Sequence, residues 1–178
     1  MSDFDYESLI VDIPDYPKPG VTFKDITPLL DDPRGFASLV DTLADRFMDA
    51  GVTKVLGAEA RGFIIGAPVA YRLGAGFVPV RKPGKLPREV LREPFNLEYG
   101  HDELQIHQDA LNTDDKVLII DDLLATGGTV CAMLKLAQQM HVSVVGMGFV
   151  VELDFLHGRE RIQQISDAPL FSLCHVKS

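Results

Sequence analysis

The segment Val117 to Thr129, VLIIDDLLATGGT, constrains the fold of this chain more than any other. Val117 to Ile120 is a short apolar run rich in Val and Ile, the pattern of a strand buried on both faces of a parallel sheet. Asp121 and Asp122 follow at its carboxyl end, the edge of an open α/β sheet where ligands bind. Adjacent carboxylates there can accept hydrogen bonds from a ribose diol, or one of them, with Asp121 as the candidate, can help hold Mg²⁺ through water. Ala125, Thr126, Gly127, Gly128 and Thr129 are small, so the backbone can approach a ligand closely, and the helix that follows would aim its N-terminal amides at an anion. Thr126 and Thr129 add hydroxyl donors. A lone GGT would be explained by a capped turn in which Asp122 and Thr126 only satisfy backbone groups. Strand, paired acids, small loop and helix start in direct succession favour a phosphate-ester site instead.

The rest of the chain supplies the sheet this segment needs. Asp32 and Pro33 read as N-cap and first helical position, and Phe36, Leu39, Val40, Leu43 and Phe47 recur at helical spacing until Gly51. Lys54 to Gly57 and Phe77 to Val80 are short apolar runs bracketing a helical stretch from about Gly62 to Leu73. From Gly128 to Met140 the spacing again suits a helix, and Val142 to Val151 is apolar nearly throughout. Strand and helix alternate, which predicts an α/β doubly wound, mostly parallel sheet flanked by helices. IPDYPKPG, from Ile13 to Gly20, forbids a helix and predicts an ordered, turn-rich loop. Between Arg81 and Leu104 the pattern breaks into a charged stretch too long for an ordinary connection, and such stretches often serve as lids.

Composition narrows the function. At 178 residues and 46% hydrophobic, the chain fits a single domain over residues 1–178 with a substantial core. A net charge of -9 argues against a nucleic-acid or anionic-membrane surface, so any anion site must be local. Arg81, Lys82 and Lys85 form such a local cationic cluster after one strand end, and Arg61 stands beside Gly62 after another. A solvated charged face is the plainer account of either. Cys131 and Cys174 lack metal-ligand or disulfide spacing and read as reduced, buried thiols. The acidic MSDFDYES start and the lack of an apolar run of roughly 18 residues predict a cytoplasmic protein with no membrane span.

VLIIDDLLATGGT resembles the phosphoribosyl-pyrophosphate motif of the type I phosphoribosyltransferases over its full length. PDYPKPGVTFKDITPLL, ARGF at Ala60 to Phe63, VPVRKPGKLP at Val78 to Pro87, LEYG at Leu97 to Gly100 and VVELDFLHGRE at Val150 to Glu160 are similar to the branch that acts on adenine. The resemblance implies condensation of adenine with phosphoribosyl pyrophosphate (PRPP) to give AMP and pyrophosphate, with Mg²⁺, in a homodimer. It implies a small N-terminal hood, about residues 1–30, that recognises the base, and a mobile lid over about 81–104. Asp121 to Thr129 would hold ribose 5-phosphate. Arg61, Arg81, Lys82 and Lys85 would hold pyrophosphate, partly across the dimer interface, where leaving-group charge calls for cations. Glu98 would act as general acid or base, and Tyr99 would cover the site. Phe23 and Leu153 would face the purine, Thr22 would read its edge through the main chain, and Lys24 stands beside it where some relatives carry arginine. Two other readings compete: a transferase for xanthine, hypoxanthine or guanine, and a non-catalytic regulator that senses PRPP. The regulator would be expected to carry a basic nucleic-acid-binding segment, which this acidic chain lacks.

Overall fold

Parallel strands must be joined by crossovers, and the chain provides a helix for most of them. The computed structural model describes residues 3–96 and 100–178. In chain order its elements are β1 (Val11–Ile13), β2 (Phe23–Asp25), α1 (Thr27–Asp31), α2 (Pro33–Arg46), β3 (Lys54–Ala58), α3 (Arg61–Leu73) and β4 (Gly76–Val80). There follow β5 (Val90–Asn96), β6 (His101–His107), β7 (Lys116–Leu124), α4 (Gly128–Gln139), β8 (Ser143–Leu153), α5 (Gly158–Gln163) and β9 (Leu170–Val176). The α2 start is fixed as its sequence dictates: the Asp32 carboxylate accepts a hydrogen bond from the Gly35 N–H at 2.7 Å, and Pro33 opens the helix.

Five parallel strands lie in the order β4-β3-β7-β8-β9. The chain moves outward from β3 to β4, then crosses back to β7 and continues to β8 and β9. The order therefore reverses between β3 and β7, and a crevice opens at their carboxyl ends. Alternation along β7 divides its side chains between two cores. Val117 and Ile119 join the cluster packed under α4, with Met133 and Leu136, while Leu118 and Ile120 join the one under α2 and α3, with Leu43 and Ile65. Among the described residues no helix is long and apolar enough to cross a membrane.

Two expectations need correction. β7 does not stop at Ile120. Its ladder with β3 ends at the Gly57 and Ile120 pair, but its ladder with β8 continues to the Leu124 and Glu152 pair. Asp121 and Asp122 are thus inside a strand on one side and at a strand end on the other, where β3 has turned away. The stretch 81–104 is also less irregular than its composition suggests. β5 and β6 pair antiparallel from Val90 with His107 to Asn96 with His101, forming an arm packed on α4. Leu91, Glu93 and Phe95 are half-buried while Arg92, Pro94 and Asn96 are exposed, a period of two that the charges and the proline disguise. Pro94 is tolerated because β5 is an edge. Glu98 and Tyr99 lie outside the described residues.

Candidate active site at the switch point

Where β3 and β7 part, residues 59–61 and 121–130 line an open cavity of about 340 Å³. Arg61 enters because β3 ends at Ala58 and α3 begins at once. Its Nε donates to Asp122 Oδ2, and its guanidinium lies 5.5 Å from the Phe23 ring centroid. Asp121 reaches in because the facing residue is glycine: a Cβ at Gly62 would stand 3.1 Å from Asp121 Oδ1. That oxygen accepts from the Asp122 N–H at 2.8 Å. Both carboxylates are buried, 9% and 8% exposed. Burial, and then the Asp122 charge beside it, hold the Asp121 carboxyl well above the usual carboxylate range.

The turn from β7 into α4 follows from its small residues. Gly127 has φ +86°, a left-handed conformation strained for other residues, and a Cβ there would meet the Gly158 carbonyl oxygen at 3.1 Å. With Gly127 as N-cap, the first turn of α4, whose amides have no partner within the helix, contributes Gly128, Thr129 and Val130 to the cavity lining. Buried carboxylates on one side and helix-end amides on the other can bind a diol and a phosphate together.

The cationic cluster stands beside this cavity, outside its lining. Glu59 Oε1 accepts from Arg81 Nε at 3.1 Å and from the Lys82 N–H at 2.9 Å, which ties the end of β4 to the residues flanking Arg61. The Arg81 guanidinium also lies 5.7 Å from the Phe63 ring centroid, and Lys82 Nζ is 3.3 Å from Asp102 on β6. Lys85 is exposed on the turn that follows. Sequence reasoning overlooked Glu59, although its place directly after the β3 apolar run marked it.

On the base side, Phe23 in β2 meets Tyr16 edge to face at 5.3 Å, and the Arg61 guanidinium lies 5.5 Å from the same ring centroid. Thr22 is exposed just ahead of it. Lys24 turns to Asp12 of the paired strand, Nζ to Oδ1 at 2.6 Å, so its charge is committed within the β1–β2 hairpin. Leu153 ends β8, buried with Val150 and Val151 in the core under α2 and α3. A second group, Glu152, Asp154 and His175, has ligand atoms within 4.8 Å of one another. Cations already match it: Arg159 forks onto Glu152 at 2.9 and 2.7 Å, and Lys177 lies 2.6 Å from Asp154. This network too was not foreseen, because its partners are far apart in sequence.

Residues 26–167 match the family model described as the phosphoribosyl transferase domain. An adenine phosphoribosyltransferase of Solidesulfovibrio magneticus is 57% identical over 159 residues, 89% of this chain and 93% of that protein. Among solved structures, the adenine phosphoribosyltransferase of Thermoanaerobacter pseudethanolicus superimposes with a TM-score of 0.91 at 46% identity, covering 96% of this chain and 98% of its own. The enzyme of Giardia lamblia, solved in complex with 9-deazaadenine, gives 0.92 at 37% identity over 98% of this chain and 97% of its own. Parallel sheet, acidic pair, glycine turn and these relatives agree, and the chain belongs to the phosphoribosyl transferase family, within its adenine phosphoribosyltransferase group.

Proposed function

We propose that this chain transfers the phosphoribosyl group of PRPP to adenine, forming AMP and pyrophosphate in purine salvage. The observation that carries this reading is the joining, at one switch-point cavity, of the buried Asp121 and Asp122 pair with the glycine turn at the start of α4. In the reaction the bond from the anomeric carbon to pyrophosphate breaks and a bond to a purine nitrogen forms as that nitrogen gives up its proton to Glu98 or to solvent, with positive charge on the ribose between the breaking and the making of the two bonds. Asp121 and Asp122 accept the ribose hydroxyls, and carboxylate charge at that place favours the positive charge on the ribose. Ala125, Thr126, Gly127, Gly128 and Thr129 hold the 5-phosphate. Arg61, aimed by Asp122, faces the leaving group, with Arg81 and Lys82 held nearby by Glu59 and Lys85 beyond them.

Two adjacent carboxylates beside a phosphate-binding turn suit a hard cation that keeps most of its waters, so Mg²⁺ would enter with PRPP and be met by Asp121 through water. Bound there, the ion would offset charge on the pyrophosphate. Phe23 and Leu153 would face the purine, with Thr22 and Lys24 at its edge and Glu98 and Tyr99 belonging to a lid over about residues 81–104. We read residues 1–178 as one domain whose first 30 or so residues recognise the base. A homodimer is supported by the outer face of α3, where Ile64 and Tyr71, two turns apart, are 45% and 86% exposed. Two free buried thiols, Cys131 and Cys174, fit a reducing cytoplasm. The net charge of -9 speaks against a nucleic-acid partner.

Asp121→Asn combined with Asp122→Asn tests the site. Turnover of adenine and PRPP should fall by more than about 100-fold while circular dichroism stays that of the wild type. Full activity in the folded double variant would refute the assignment.

A further inference from the structure

The first residue of α5, Gly158, packs its backbone directly against the 125–129 turn. A Cβ on Gly158 would run into the Ala125 carbonyl oxygen and stand 3.2 Å from the Gly127 nitrogen and 3.0 Å from Leu124 Cδ1. Reciprocally, a Cβ on Gly127 would lie 3.1 Å from the Gly158 carbonyl oxygen. Three residues further on, Arg161 Nη1 reaches the Thr126 carbonyl oxygen at 3.5 Å and lies 3.6 Å from where a Gly128 Cβ would be. Ala125 through Gly128 are thus each met from one side, and neither Gly158 nor Arg161 lines the cavity.

The support behind the turn is itself anchored by residues that do not line the cavity. Arg159, between the two residues, grips Glu152 on β8 and donates from Nη1 to the Leu170 carbonyl at the start of β9 at 3.2 Å. Glu152 in turn accepts from Ser172 Oγ at 2.7 Å. The first turn of α5 is therefore fixed to the sheet before any substrate arrives.

We propose that Gly158 and Arg161 are positioning residues for the phosphate turn, holding its amides in the geometry that receives the 5-phosphate of PRPP. This rests on the reading of residues 125–129 as the ribose-phosphate site. Donors held in place beforehand need no reorganisation on binding, and a displacement of about an ångström at such a turn is costly. The base side is carried by Phe23 on β2 and Leu153 at the end of β8, not by α5, so the effect should be selective for one substrate.

Gly158→Ala and Arg161→Ala in the full chain test this, with each substrate varied against saturation by the other. Gly158→Ala should raise the KM for PRPP about tenfold, leaving the KM for adenine and the kcat close to wild type. Arg161→Ala should give a smaller rise with the same selectivity. Folded variants with an unchanged KM for PRPP, or with both KM values raised alike, would overturn the proposal. If Gly158→Ala does not fold, Arg161→Ala decides by the same split, since its side chain is exposed. Calorimetric titration with ribose 5-phosphate separates this claim from the choice of base. A wild type inactive on adenine that still binds ribose 5-phosphate about ten times more tightly than Gly158→Ala would refute the base and support the brace. Equal binding would overturn the brace.

Discussion

Arg159→Ala would leave a carboxylate stranded in the protein interior. Glu152 is 3% exposed and depends on Arg159 for two hydrogen bonds, at 2.9 and 2.7 Å, with one more from Ser172 at 2.7 Å. Burial alone would push the Glu152 carboxyl up. The bonds from Arg159 and Ser172 outweigh it and hold the group below the usual glutamate range. Removing one partner of a fully buried pair costs about 3–5 kcal/mol. The Arg159 side chain is 33% exposed, so water already screens the pair, and Ser172 stays behind. About 2–3 kcal/mol is the reasonable expectation. For a domain of this size each kcal/mol lowers Tm by about 2–4 °C, so calorimetry at pH 7 should show a fall of about 4–12 °C.

In the wild type the depressed folded pKa contributes stability above the unfolded glutamate value, and this is lost as pH falls through the folded value. In the variant the carboxyl, unpaired and buried, protonates at higher pH and escapes its penalty. The Tm gap between the two proteins should therefore narrow as pH is lowered from 7 toward the ordinary carboxylate range. No gap at pH 7, or one of equal size at both ends, would show that Arg159 does not hold a buried, ionised Glu152.

Asp121→Asn should stabilise the fold and disable the site. The raised pKa of Asp121 means that its ionised form costs stability, a cost complete above the folded pKa and relieved as pH falls through it toward the unfolded value. The single variant should melt about 2–4 °C higher at neutral pH, turn over far more slowly, and lose its thermal advantage in acid. A lower Tm at pH 7 would contradict the electrostatic account. Asp32→Ala removes the α2 cap and should cost about 1 kcal/mol, seen in urea unfolding, with both KM values unchanged. Unaltered stability would show that the cap contributes nothing.

The sheet and the phosphate side were legible in the sequence because their signals are local. Val117 to Ile120 is apolar without interruption since β7 is central, with β3 and β8 on its flanks and helices over both faces. Gly127 announces a left-handed turn because few other residues tolerate φ +86°. What was not legible depends on distant pairings. β1 and β2 are three residues each, too short to show a period, and pair only because the loop between them folds back. In β5, Leu91 and Phe95 pack on the α4 side while Pro94 and the charges mask their alternation. β9 was overlooked because its apolar residues, from Leu170 to Val176, are interrupted by Ser172 and His175. Ser172 is there for Glu152 and His175 for Asp154, partners some 20 residues away in sequence. Glu59 likewise gains meaning only when β4 lies beside β3 and brings Arg81 to it.

Whether this cavity joins the ribose phosphate of PRPP to adenine is decided by incubating the purified chain with PRPP and Mg²⁺ and with adenine, guanine, hypoxanthine or xanthine in parallel, and measuring nucleotide and pyrophosphate. Adenine should give AMP and equimolar pyrophosphate, with little or no product from the other three. Preference for another purine would contradict the base assignment, and absence of nucleotide from all four would contradict the proposal that the chain is a catalyst.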